Sequence, residues 1–207
     1  MKIAVLCEVS SADKNPLIID ALDGRGHELI NFGMKTPDES PSLSYIHTSF
    51  MTAAILNLNI ADFVVSGCGT GQGFCIASNM YSGVFCGHIV TPIDAWLFAH
   101  INAGNVISLA LNQGFGWASE IQLKFIFDRL FEVPMGKGYP EHRKSAQQAS
   151  RVMLSDISKA VKLSFPDVVR KIDPDIIKIC MSNQTFSKMV ANCDSKCVSK
   201  QLILGSK

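Results

Sequence analysis

The stretch ADFVVSGCGTGQGFCIASN, residues 61–79, decides the fold. Its apolar run, ADFVVSG (61–67), is the length of a buried strand and too short for a core helix. The run ends in a glycine-studded turn, CGTGQG (68–73), and FCIASNMY (74–81) then reads as a helix. A strand that passes its chain through glycines into a helix is the repeating unit of a parallel sheet.

Working outward, the same alternation recurs. KIAVL (2–6) is a short apolar strand, and NPLIIDALDGRG (15–26) carries Leu17, Ile18 and Leu22 at helical spacing before a glycine stop. HELINFG (27–33) is a strand, the proline-bearing KTPDESPS (35–42) a loop, and SYIHTSFMTAAILNLNI (44–60) a second helix. Beyond the turn, GVFCGHIV (83–90) is a strand. TPIDAWLFAHINA (91–103) is a helix capped by Thr91 with Pro92 at its first position, and GNVISLAL (104–111) is a fifth strand. Five strands with helical crossovers predict an α/β protein with a parallel sheet covered on both faces. From GWASEIQLKFIFDRLFEV (116–133) onward the chain reads as helical. A helix is expected over 142–164, followed by short helices broken at Pro166 and Pro174.

Composition bounds the function. At 207 residues, 47% hydrophobic and 18% charged, the chain can bury a sizeable core. Lys+Arg 19 against Asp+Glu 18 gives a formal net charge of +1, with no field to attract nucleic acid or an acidic membrane. MKIAVLCEVSS reads as a first strand rather than a signal peptide, and no run approaches the roughly 18 apolar residues of a membrane span. Seven cysteines, irregularly spaced, suggest reduced thiols and a cytoplasmic protein. Cys7, Cys75, Cys86 and Cys180 read as core residues. Cys193 and Cys197 form a C-x3-C pair without a second ligand pair, so no metal site is expected there.

Open α/β sheets bind ligands in loops at the carboxyl ends of their strands, where CGTGQG falls. Gly69, Gly71 and Gly73 are spaced by two, which fits neither the dinucleotide fingerprint nor the lysine-bearing phosphate loop. Glycine N–H groups opening a helix instead form a cup for a small anion. Cys68 stands at the strand end beside that cup, a setting that favours a thiolate.

The combination ADFVVSGCGTGQGFCIASNMYSGVFCG with HINAGNVISL resembles the ribose-5-phosphate isomerase B and galactose-6-phosphate isomerase family. KIAVLCEVSS, GHELINFG and SYIH fall where that family has its first strand, second strand and substrate-contacting helix start. The resemblance implies a Rossmann-like three-layer α/β/α subunit over 1–150 and leaves 151–207 as a helical C-terminal extension, packed on the domain or a dimer partner. It implies an aldose–ketose isomerase for a phosphorylated or modified pentose or hexose, using neither metal nor organic cofactor. The partners implied are a small sugar or sugar phosphate and a second subunit, in a homodimer or tetramer with the site near the subunit interface. By resemblance Cys68 is the base that moves a proton between neighbouring carbons through an enediol(ate). Gly69, Gly71 and Gly73 supply backbone donors to the oxyanion, Thr70 handles a substrate hydroxyl, Asn102 matches the catalytic asparagine of the family's histidine–asparagine pair, and Tyr45 contacts substrate.

Departures accompany the match. The family's ring-opening histidine falls on Ile101, with His100 one residue earlier and so about 100° round a helix. His100 reads equally as a catalytic residue and as a packed core histidine. The Asp-His pair expected after the first strand is Glu8-Val9, which leaves Glu8 and Ser10 as substrate- or anion-binding groups. In EHRKSAQQASR (141–151), Arg143 is placed to grip a phosphate, or lies on a solvated helix face. Trp117 either lines the pocket or packs. A non-catalytic sugar-phosphate binding or partner subunit of the same family is the alternative function.

Overall fold

The structure, a computed structural model, describes residues 1–206. Its five strands are β1 (Lys2–Val5), β2 (Glu28–Asn31), β3 (Phe63–Cys68), β4 (Cys86–Ile89) and β5 (Val106–Ala110). They form one sheet in the order β2-β1-β3-β5-β4, with every neighbouring pair parallel. The apolar sequence of β3 is buried along its whole length, as a central strand covered on both faces requires. Its register with β5 runs from Val64↔Val106 to Cys68↔Ala110, so Cys68 is the last paired residue. Gly67 permits this pairing, because a Cβ there would lie 2.2 Å from the Leu109 carbonyl oxygen.

The helices are α1 (Asn15–Leu22), α2 (Tyr45–Asn57), α3 (Gln72–Ser78), α4 (Pro92–Leu97), α5 (Ser119–Leu130), α6 (Lys144–Val161), α7 (Phe165–Lys171), α8 (Pro174–Ser182), α9 (Gln184–Asn192) and α10 (Val198–Gly205). One face of the sheet packs α2, α3 and the C-terminal helices in a cluster that includes Phe50, Phe74, Phe165, Phe186 and Ile203. The other packs α1, α4, the turn that follows α4, and α5 through Ile18, Leu22, Ala95, Phe98 and Phe127. Each fully buried phenylalanine of this kind contributes about 1.5–3 kcal/mol. The extension therefore thickens one layer of the sandwich.

Local chemistry accounts for the differences from the sequence expectation. Pro166 and Pro174 start α7 and α8 rather than breaking helices, with Ser164 and Asp173 as side-chain caps. The helix expected over 91–103 ends at Leu97 and widens into a π-type turn, Phe98–Asn102. Ala103 closes that turn in the left-handed region (φ 47°), and its N–H donates to the Phe98 carbonyl at 2.7 Å. Gly104 then passes where a Cβ would lie 2.2 Å from the Phe85 carbonyl oxygen, so the chain must turn at once into β5. A 3-10 segment, Val9–Lys14, follows β1 where no element is expected. Cys75 and Cys86 are half-buried, not core residues, and Cys86 opens β4, an edge strand of the sheet.

α6 stands apart. Only Ser158 is buried on it, while Val152, Met153, Leu154, Ile157 and Val161 are exposed. Arg151 ties it to the π-type turn by donating to the Ile101 carbonyl at 2.9 Å. Among the described residues, no helix is long and apolar enough to cross a membrane.

Candidate functional site

The chain leaves β1 towards β2 on one side and returns to β3 on the other, so the strand order reverses between β1 and β3. The crevice outside the carboxyl ends at such a reversal is where these sheets bind ligands. Cys68 ends β3 there and is 7% exposed. From the end of β1 come Glu8, itself buried, and Ser10. The Ser10 hydroxyl donates to the Glu8 carboxylate and accepts the Gly69 N–H at 3.1 Å. Asn112, just past β5, donates from Nδ2 to the Ser10 carbonyl at 2.7 Å and from its N–H to the Gly69 carbonyl at 2.8 Å. Three strand ends are thus locked together around Cys68, and the buried carboxylate has a partner, as burial demands.

Gly71 heads α3 with φ +74°, and its carbonyl accepts from the Ser108 hydroxyl. The His88 ring occupies the space beside it, 2.7 Å from where a Cβ would stand. His88 Nε2 lies 2.9 Å from the Thr70 carbonyl, which can only accept, so Nε2 carries the proton. The Tyr45 ring lies over Gly73, 3.4 Å from a notional Cβ. Not every glycine N–H is available to a ligand. That of Gly69 is taken by Ser10, and that of Gly71 donates to the Cys68 carbonyl at 3.2 Å. Among the described residues, the N–H groups of Thr70 and Gly73 have no partner, which leaves these two for a developing oxyanion. The Thr70 hydroxyl accepts the Gln72 N–H at 3.3 Å and keeps its own proton to donate.

A second group of the expected residues lies elsewhere. Asn102 and Arg143 line a cleft of about 800 Å³ with His88, Ile101, Arg151 and Leu154, and Cys68 does not line it. His100 is 5% exposed and stacks on Trp96 with ring centroids 3.8 Å apart. Its Nδ1 lies 2.8 Å from the Trp96 carbonyl, so that nitrogen is the donor. Ile101, not His100, faces the cleft. Trp117 is fully exposed and neither lines a pocket nor packs. Glu8, Ser10, Tyr45, Cys68, Gly69, Thr70, Gly71 and Gly73 therefore gather at one place, and Asn102 and Arg143 at another, with His88 touching both.

His88 and Asn112 are the residues that sequence reasoning missed. Asn112 carries a usable signal, since it follows a strand whose carboxyl end must face the cup. His88 carries little, being a lone histidine in an apolar strand.

Known proteins share this fold. The family model described as Ribose/Galactose Isomerase matches residues 3–135. A solved 4-deoxy-L-threo-5-hexosulose-uronate ketol-isomerase, complexed with a tartrate, is 38% identical with a TM-score of 0.93, covering 99% of this chain and 100% of its own. A ribose-5-phosphate isomerase from Vibrio parahaemolyticus is 37% identical with a TM-score of 0.91, covering 100% of this chain and 97% of its own. One from Thermotoga maritima is 25% identical with a TM-score of 0.58, covering 72% of this chain and 97% of its own. No curated protein matches the chain.

Proposed function

The chain belongs to the ribose/galactose isomerase family, and from that premise we propose that it interconverts an aldose and a ketose by proton transfer at Cys68. The observation that carries this reading is the Cys68 thiol held between three locked strand ends, beside the free N–H groups of Thr70 and Gly73. The thiolate takes the proton from the carbon next to the carbonyl, and the thiol, whose proton exchanges with solvent, reprotonates the neighbouring carbon. The two N–H groups stabilise the enediolate oxygen, and the Thr70 hydroxyl and Tyr45 orient the sugar. Two relatives of nearly equal similarity are named for different substrates, a uronate and a ribose phosphate. The substrate is accordingly a pentose or hexose carrying one anionic group, either carboxylate or phosphate.

The cleft group completes the site from a second copy of the chain. Asn102 and Arg143 sit away from Cys68 within one subunit, and the exposed apolar face of α6 beside them offers a surface for a partner. All seven cysteines are unpaired, which fits a reducing cytoplasm. The test is turnover of a panel of uronates and sugar phosphates by the wild type, Cys68→Ala and Asn102→Ala. Both variants are expected to be inactive, and mixing them with subunit exchange to recover about a quarter of wild-type activity, since half the dimers then hold one intact site. Full activity in Cys68→Ala would sink the mechanism, and absence of recovery would sink the shared site. Ligand binding without turnover by the wild type would favour a non-catalytic binding subunit, the reading that Ile101 in place of a histidine supports.

A further inference from the structure

Away from Cys68, two other cysteines meet. Cys75 lies on α3, and Cys86 is the first residue of β4. Cys75 Sγ lies 3.6 Å from the Cys86 carbonyl oxygen and 3.6 Å from Asn79 Nδ2. Asn79 clamps the two segments. Its Nδ2 donates to the Cys75 carbonyl at 3.0 Å and the Cys86 carbonyl at 2.9 Å, while its Oδ1 accepts the Cys86 N–H at 3.0 Å. Neither cysteine is sealed off: both are half-buried, and Cys86 and Asn79 line the open cleft. The pair ties α3 to β4, the two elements that hold Gly71 on either side.

We propose that Cys75 and Cys86 form a reversible dithiol–disulfide site that small disulfides, such as glutathione disulfide, oxidise. The two thiols have unequal roles. The Cys86 thiol and then the Asn79 amide support negative charge on Cys75 and hold its titration below the ordinary thiol range. The same contact with Cys75, together with burial, pushes Cys86 far up. Cys75 is therefore the attacking thiolate. It displaces one thiolate from the small disulfide and forms a mixed disulfide on Cys75. That step removes the charge facing Cys86, and with it the main cause of the raised Cys86 titration. Cys86 then loses its proton to solvent and attacks Cys75 Sγ, expelling the second thiolate. Two protein thiols become one disulfide, and the small disulfide is reduced to two thiols. Cys7 and Cys180 are sealed in the core, and Cys193, just past α9, donates to the Val190 carbonyl.

The test is chemical and independent of isomerase activity, so failure of the isomerase reading leaves it standing. The folded protein is incubated with glutathione disulfide, remaining thiols are capped with iodoacetamide, and the chain is cut with chymotrypsin. Tyr81 and Phe85 lie between the two cysteines, so the cut separates them unless sulfur joins them. A Cys75–Cys86 linked peptide, lost on treatment with dithiothreitol, is expected as the main oxidised product. In Cys86→Ser the reaction should stop with glutathione on Cys75, and in Cys75→Ser little adduct should form on Cys86. Oxidation chiefly at other cysteines, or an adduct on Cys86 that forms as fast without Cys75, would overturn the proposal.

Discussion

At the scale of single residues, Gly71 bears the most constraint. It stands in the left-handed region at φ +74°, and a Cβ would meet the His88 ring at 2.7 Å. Gly83 makes a natural control, with φ +76° and nothing within 4 Å of a notional Cβ. Gly83→Ala should cost only the backbone strain of a left-handed alanine, about 1–2 kcal/mol. Gly71→Ala should cost more, because His88 must move off the Thr70 carbonyl, and turnover should fall at least about tenfold as the N–H groups beside Cys68 tilt. Equal melting temperatures and equal turnover for the two variants would remove His88 from the account. The glycines were legible in the sequence because three in alternate positions after an apolar run have few other uses. His88 was not legible, because its meaning depends on register. It pairs with Ser108, whose hydroxyl holds the Gly71 carbonyl, and that pairing joins residues far apart in the chain.

At the scale of elements, α2 and the turn after α4 each place candidate residues, Tyr45 on the one and Asn102 on the other. α2 sets Tyr45 over Gly73, and its start is fixed by the Ser44 N–H donating to His47 Nδ1 at 3.0 Å. That bond requires a neutral ring, and burial lowers the folded-state titration of His47. His27 shares the direction through burial, and its ring nitrogens have no partner among the described residues. The sign follows from linkage. Below pH about 6.5 the unfolded chain binds protons that the folded rings resist, so stability falls with pH there and is unaffected well above it. The melting temperature should therefore drop between pH 7.5 and 5.5, and drop less in His47→Gln, whose amide oxygen can still accept from Ser44. An unchanged drop in the His27→Gln, His47→Gln double variant would refute this assignment. The alternation of strands and helices was legible because its two periodicities differ. The π-type turn was not, because helical spacing does not encode the close approach of Gly104, just past it, to the Phe85 carbonyl.

At the scale of the whole molecule, the sheet gathers one group of candidate residues around Cys68 and leaves a second group on a separate surface. Glu8, Ser10, Cys68 and Asn112 meet because the carboxyl ends of β1, β3 and β5 are neighbours, and that order follows from the parallel topology. Asn102 and Arg143 face the cleft beside α6, whose exposed apolar residues the helical pattern alone could not assign to core or interface. Deuterium exchange tests whether Cys68 moves a proton. Product formed in D2O by the wild type should carry solvent deuterium at the carbon next to the carbonyl, and Cys68→Ala should slow that incorporation by about 10²–10⁴-fold. Incorporation or turnover undiminished in Cys68→Ala would show that Cys68 is not the base.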